Sequence, residues 1–340
     1  MSEAVNRQWR LVARPAGMVQ VSDFEYREAP VPVVGEGEYL VRTLYVSVDP
    51  AQRGWMNPDP GYMPPIPLGE VMRGGTISEV VESRHPRYAV GDIVAGFFGW
   101  QDYALGGAGA QVITPEHPLP RYLGVLGGTG LTAYFGLLDV GQVTEGQTVL
   151  VSGAAGATGS VAAQIARIKG CRVIGIAGGA DKCGWLTGEL GLDAAIDYKN
   201  ESVGDRLSAL CPDGIHVYFD NVGGAILESA IGHMAQGGRI ACCGMIAGYN
   251  DAEPQPGPRN LFLLISRRIT MAGFLVPDFA SRFAEARREL SAWLTAGQLQ
   301  AREDVQGGFE NIPATFLRLF SGQNLGKQVL KVADPTNASA

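Results

Sequence analysis

The chain has 340 residues, 46% of them hydrophobic, and a formal net charge of −7. At roughly 150 residues per domain this is a two-domain length, with enough apolar side chain to exclude a disordered chain. The acidic balance argues against nucleic acid as a partner, and no apolar run reaches the ~18 residues of a membrane span. Arg7 and Arg10 are followed by no apolar leader segment, and the odd count of five cysteines fits a reducing compartment. The expectation is a cytoplasmic protein with neither a membrane nor a nucleic-acid partner.

In chain order, the first 126 residues read as mostly β. Glu38–Val46 is strand-like, prolines at 30, 32, 50 and in the 57–67 cluster cut the runs, and Gly91-Asp92 turns into Ile93–Phe98. This spacing predicts a compact, partly closed β domain. From residue 127 short apolar runs alternate with helical stretches, the signature of a parallel sheet. Strands are expected at Val149–Ser152, Arg172–Ala177, Val217–Asp220, Arg239–Cys243 and Ile269–Phe274. A helix over Ser160–Lys169 places Val161, Ile165 and Ile168 on one face. A long amphipathic helix is expected through Phe279, Phe283, Ala286, Leu290 and Trp293, ended by Gly297. Strand-like residues return at Gln328–Val332 and rejoin the first domain, and the tail after Asp334 reads as frayed. The expected domains are 1–126 with 300–340, and 127–299.

The stretch from Val149 to Gly159 is the most informative. A strand runs into Gly153-Ala154-Ala155-Gly156-Ala157-Thr158-Gly159, a small-residue turn that opens a helix. A pyrophosphate needs this context: close approach of backbone, with free N–H groups and the positive dipole of a helix start. The spacing G-x-x-G-x-x-G departs from the usual G-x-G-x-x-G. An NAD-binding unit places Asp or Glu at the end of its second strand to hold the ribose hydroxyls. Here Ile176-Ala177 runs into Gly178-Gly179, and Lys182 follows near the next helix start, where a cation is disfavoured unless an anion answers it. The expected cofactor is NADPH. A zinc site requires clustered thiolates and imidazoles. Cys171, Cys183, Cys211, Cys242 and Cys243, and His85, His117, His216 and His233, show no ligand spacing, so no metal is expected.

Several segments in order carry a likeness: Val48-Asp49-Pro50 with Arg53, Gly69–Gly75, Gly127–Leu138, Ala154–Gly159, Asp220–Gly224, Cys243–Asn250 and Asn324–Lys327. In these the chain resembles the zinc-independent medium-chain dehydrogenase/reductase superfamily, in its leukotriene B4 dehydrogenase/prostaglandin reductase group, near the bacterial NADPH-dependent curcumin reductases. The resemblance implies an α/β fold, a Rossmann doubly wound parallel sheet plus a GroES-like, partly closed β-barrel domain. It implies pyrophosphate contacts at Gly156, Ala157, Thr158 and Gly159, and a 2′-phosphate site at Gly178, Lys182 and Tyr198. It also implies cofactor contacts from Asn221, Cys243, Gly244, Asn324 and the backbone of Phe274, Leu275 and Val276, with Tyr249 over the reacting centre. The chain departs from the family's pattern at Ala51-Gln52, where Tyr-Met is common, and at Gly128-Thr129, where Met-Pro is usual.

An α,β-unsaturated carbonyl needs no Lewis acid, because its β-carbon is already electrophilic and the enolate formed on hydride addition is stabilised by hydrogen bonds. The expected reaction is NADPH-dependent reduction of the carbon–carbon double bond of enones and enals, with hydride to the β-carbon, Tyr249 and the cofactor ribose hydroxyl donating to the enolate oxygen, and protonation at the α-carbon. Trp55, Met56, Tyr62, Met63, Phe98, Trp100, Phe262 and Leu263 are the expected walls for a hydrophobic substrate. A quinone oxidoreductase and a non-catalytic NADPH-binding protein are the alternatives. The Ile269–Phe274 strand is an expected sheet edge for a homodimer.

Overall fold

The computed structural model describes residues 5–253 and 255–336. The chain falls into two compact units: one takes the residues up to Leu123, Glu303–Asn324 and the chain from Gln328 onward, the other Gly124–Arg302 with Leu325–Lys327.

The first unit is built on strands β1 (Val5–Leu11), β2 (Phe24–Pro30), β3 (Tyr39–Ser47), β4 (Thr76–Ser83), β5 (Ile93–Gly96), β6 (Tyr103–Gly106) and β7 (Gln111–Ile113), with the short helix α1 (Ala51–Trp55) after β3. β3 is buried along most of its length because both its edges are paired: β4 lies on one, and β6 and the last strand of the chain share the other. Register shifts between Leu40 and Val41 and between Thr43 and Tyr45 break the β3–β4 ladder. Such bulges bend and twist a sheet. The core below α1 contains Trp9, Phe24, Trp55, Met56, Trp100, Phe309 and Phe316.

The second unit opens with α2 (Gly128–Phe135) and then alternates strand and helix: β8 (Thr148–Ser152), α3 (Ala157–Ile168), β9 (Arg172–Ala177), α4 (Ala180–Gly188), β10 (Ala194–Asp197), α5 (Val203–Leu210), β11 (Ile215–Asp220), α6 (Gly224–Gly232), β12 (Met234–Cys242), α7 (Phe262–Ser266), β13 (Thr270–Gly273) and α8 (Phe283–Thr295). Its sheet runs β10-β9-β8-β11-β12-β13, and every pairing is parallel. This is the doubly wound order, whose direction reverses between β8 and β11. β14 (Glu303–Gly307), α9 (Ile312–Leu317) and β15 (Lys327–Lys331) complete the chain, with β15 pairing β3 antiparallel at Val329–Lys331.

Three expectations change. β10 escapes the sequence pattern, because Ala-Ala-Ile-Asp is too short to show a period. The long helix is broken: Phe279 lies in a preceding 3₁₀ segment, Val276–Arg282, and stacks on Phe135 at 4.7 Å, while α8 proper starts at Phe283. The tail is pinned as far as Thr336, whose backbone N–H and hydroxyl both donate to Glu79, while Arg42 donates to the Asp334 carbonyl. Residues 337–340 lie outside the described residues.

α3 can pack onto the end of β8 only because residue 159 lacks a side chain. A β-carbon there would lie 2.3 Å from the Gly153 carbonyl oxygen and 2.9 Å from Ala154 Cα, both fixed backbone atoms. Gly184, inside α4, has open space around its α-carbon. Gly159→Ala is therefore expected to lose about 1–3 kcal/mol to overpacking, whereas Gly184→Ala should gain about 0.5–1 kcal/mol from helix propensity. Urea unfolding of both variants checks the pair, and equal stabilities would contradict the packing.

Candidate active site

In an open parallel sheet of this order, ligands bind at the carboxyl ends of the strands where the winding reverses. Those ends are Ser152 on β8 and Asp220 on β11. Asp220 is 1% exposed, and its Oδ1 accepts hydrogen bonds from Ser152 Oγ (2.9 Å), Tyr218 OH (2.6 Å) and the backbone N–H groups of Val222 and Gly223 (both 3.0 Å). Burial, and after it the Asp220 charge, raises the Tyr218 phenol well above its ordinary value, so it remains a donor. Ser152 Oγ in turn accepts from the Asn221 backbone N–H at 2.9 Å, and Asn221 Nδ2 donates to the Ser152 carbonyl at 2.6 Å. A buried carboxylate is tolerated only with such a set of donors. Here the set ties the two strand ends together.

The loop between β8 and α3 is closed by Gly156 N–H donating to the Gly153 carbonyl at 2.9 Å. Ala154 N–H is anchored on the Ile176 carbonyl of β9, and Gly326 N–H donates to the Ala155 carbonyl at 2.9 Å, so a return segment of the chain braces the loop. Gly156 caps α3 with no side chain. Within the first turn the N–H groups of Ala157, Thr158 and Gly159 have no intrahelical partner, which makes this end a seat for an anion.

The end of β9 forms a second polar cluster. A β-carbon on Gly178 would meet the Tyr198 ring at 2.8 Å and Lys199 Cε at 2.9 Å, so both side chains lie against this turn. Lys182, the third residue of α4, is half-buried. β9 ends on Ala177 with no acid of its own, and the neighbouring strand supplies one that the sequence pattern hid. Asp197, the last residue of β10, accepts from Gly179 N–H at 2.7 Å, from the Asn200 side-chain amide at 2.7 Å and from Lys199 N–H at 3.1 Å. Those donors, Gly179 first, hold its carboxyl below its ordinary value. The acid is turned onto the backbone of its own turn, leaving Tyr198 and Lys199 as the side chains that border Gly178. Lys199 went unnoticed in the sequence.

After β12 the chain passes the switch point again. Cys243 and Gly244 N–H groups both donate to the Asp220 carbonyl, at 2.8 and 3.0 Å, and Ile246 N–H reaches the Asn221 carbonyl at 3.3 Å. The Tyr249 hydroxyl accepts from Met245 N–H at 3.2 Å and lies over Gly244, where a β-carbon would stand 3.1 Å from it. Asn221, Cys243, Gly244 and Tyr249 are thus brought together. Burial, with the Asp220 charge adding to it, pushes the Cys243 thiol up to about 12 and the Cys242 thiol up to about 11. Neither is a thiolate at neutral pH.

Phe274 follows β13 and turns its ring inward, 6.4 Å from Phe219; Leu275 is exposed and Val276 starts the 3₁₀ segment. Phe262 is 72% exposed at the start of α7, where Leu261 and Ile265 are exposed as well. Asn324 is half-buried, two residues before Gly326.

In the first unit the aromatic walls need correcting. Trp100 is 0% exposed, packed between Phe24 at 5.2 Å and Phe316 at 5.6 Å, and is a core residue. Phe98 packs on the core cluster around Tyr39. Glycine on both sides of Phe97-Phe98 hid which ring points outward, and it is Phe97 that does, 71% exposed, 6.3 Å from the Trp55 ring. Trp55 Nε1 donates to Tyr62 OH at 2.7 Å, and Met63 packs against the core below.

Among the described residues no group of three or more His, Cys, Asp or Glu side chains could hold a metal ion. Two family models match: one described as the N-terminal domain of oxidoreductase over residues 7–114, the other as zinc-binding dehydrogenase over residues 157–292. The NADPH-dependent curcumin reductase of Escherichia coli (strain K12) is 43% identical over 335 residues, 96% of this chain and 97% of that protein. The 2-alkenal reductase (NADP(+)-dependent) of Nicotiana tabacum is 37% identical over 346 residues, 97% of this chain and 98% of that one. The crystal structure of CurA in complex with NADPH from Vibrio vulnificus superimposes with a TM-score of 0.93 at 39% identity, covering 97% of this chain and 100% of that one. Identity of this degree along the whole chain, together with the doubly wound sheet and the antiparallel first unit, shows that the chain belongs to the zinc-independent medium-chain dehydrogenase/reductase family.

Proposed function

We propose that the chain is an NADPH-dependent reductase of the carbon–carbon double bond of α,β-unsaturated ketones and aldehydes. The observation that carries this reading is a phenol, Tyr249, held by the Met245 N–H over the backbone that Asp220 organises at the switch point. The names of the relatives, a curcumin reductase and a 2-alkenal reductase, support the same class of reaction.

The residues fit the cofactor. The uncapped start of α3 would take the pyrophosphate, and Lys182 in the first turn of α4, with Tyr198 beside Gly178, would take the 2′-phosphate, the Asp197 carboxylate being already occupied by backbone donors. Asn221, Cys243, Gly244, Asn324 and the backbone of Phe274–Val276 would hold the remainder. NADPH, when bound, supplies a hydride to the substrate's β-carbon. The Tyr249 hydroxyl donates a hydrogen bond to the substrate carbonyl oxygen as negative charge builds there, and such a donor is worth most in a site shielded from water. A proton delivered to the α-carbon from water, directly or by way of the Tyr249 hydroxyl, completes the saturated product.

The assembly we propose is a homodimer paired through β13. This strand is the sheet edge, its Met271 is exposed, and Leu261, Phe262 and Ile265 of the adjoining segment present apolar surface. An open edge of this kind is a template for a second strand. Sedimentation should give twice the 36.0 kDa chain mass, and a monomer would remove this assembly.

Steady-state kinetics of two variants test the site. Tyr249→Phe should lower kcat by about 10²-fold, the usual loss for one oxyanion donor, with the KM for NADPH nearly unchanged. Lys182→Ala should raise the KM for NADPH by about tenfold, as expected for a lost charge-assisted contact, and leave that for NADH almost unmoved. Wild-type turnover in the first variant removes Tyr249 from the mechanism, and equal shifts for both cofactors in the second remove the phosphate role.

A further inference from the structure

A carboxylate reaches the glycine turn after β9 from the neighbouring strand. Asp197 and Ala177 are partners in the parallel β10–β9 pair, so the two strands end side by side. Asp197 Oδ1 accepts the Gly179 N–H at 2.7 Å and the Lys199 N–H at 3.1 Å, while Oδ2 accepts the Asn200 side-chain amide at 2.7 Å. Two of these donors are backbone and belong to the turn. The third is the side chain of an exposed residue.

The charge of Asp197 is met by these donors, and it makes no ion pair among the described residues. Glu201, the next acid along the chain, is placed differently: it accepts the Asp197 N–H at 2.9 Å and pairs with Arg206 at 3.0 Å. Asp197 is therefore the acid whose aim matters at this turn. A carboxylate with an open oxygen accepts from the hydroxyls of an unphosphorylated ribose. The same oxygen repels a phosphate that carries close to two negative charges.

We propose that Asn200 sets the preference for NADPH over NADH: its amide pins Asp197 Oδ2 to the chain, so that the carboxylate neither captures a ribose hydroxyl nor opposes a 2′-phosphate. Asn200 acts through Asp197 and is a positioning residue. The inference rests on the NADPH reading of the site and adds to it the residue that keeps the acid out of the way.

Dissociation constants for NADP⁺ and NAD⁺ are measured by calorimetry, which needs no turnover, in the wild type, Asn200→Ala, Asn200→Asp, Asp197→Asn and Asp197→Asn/Asn200→Ala. The wild type should bind NADP⁺ the more tightly. Asn200→Ala should narrow the ratio of the two constants by about tenfold, the worth of one hydrogen bond to a charged group, weakening NADP⁺ and strengthening NAD⁺. Asn200→Asp, which cannot donate, should narrow it at least as far. In the Asp197→Asn background Asn200→Ala should leave the ratio unmoved, because no carboxylate remains to be released. A ratio unmoved in both Asn200 single variants, or a narrowing that persists without Asp197, overturns the role of Asn200 and leaves the reductase reading standing. A wild type that binds NAD⁺ as tightly as NADP⁺ overturns this role and the NADPH reading together. The expected ratios with no enone reduced uphold Asn200 and overturn the reductase.

Discussion

Everything at the switch point hangs on one buried carboxylate. Asp220 sits where the winding of the parallel sheet reverses, and its side chain gathers donors from β8, from β11 and from the loop that follows. Its main-chain carbonyl holds the start of the segment that carries Tyr249. A charge removed from water at this position is costly unless fully satisfied. The donors that satisfy the side chain fix Ser152 and the Val222–Gly223 turn, Ser152 in turn holds Asn221, and the main-chain carbonyl holds Cys243 and Gly244. Stability and preorganisation thus meet at one residue.

A second economy operates at the end of β9. A dinucleotide fold that favours an unphosphorylated ribose places a free acid there. This chain has an acid within reach, Asp197, but spends it on Gly179, Lys199 and Asn200 donors. The carboxylate thus shapes the glycine turn, and the side chains of Tyr198 and Lys199 border it. Where the carboxylate is aimed matters as much to the charge of this turn as which residues are present.

Much of this was legible in the sequence. The glycine loop and the strand positions around it follow from local chemistry, because a turn that lets a helix pack this closely on the end of a strand admits few residue types. β10 was not legible, since four residues carry no period, and with it went the acid that controls the β9 turn. The aromatic walls were half legible. Alternation places Phe97 and Phe98 on opposite faces, but only the sheet shows which face is core. The break at Phe279 was hidden because its ring packs inward like a helix residue's, yet half-buried and by stacking on Phe135 from a 3₁₀ turn.

The chemistry follows from what the site offers: hydrogen-bond donors, a phenol held over backbone, thiols kept protonated by burial and, among the described residues, no clustered metal ligands. Such a site suits addition to a carbon already electrophilic. The most direct measurement is to follow deuterium from NADPH labelled at its transferable position into 4-phenylbut-3-en-2-one, with a chelator present. A saturated ketone carrying deuterium on the β-carbon, its carbonyl intact, is the outcome the double-bond reductase predicts. Deuterium on the carbonyl carbon of an allylic alcohol, or an untouched enone beside a readily reduced quinone, would contradict it.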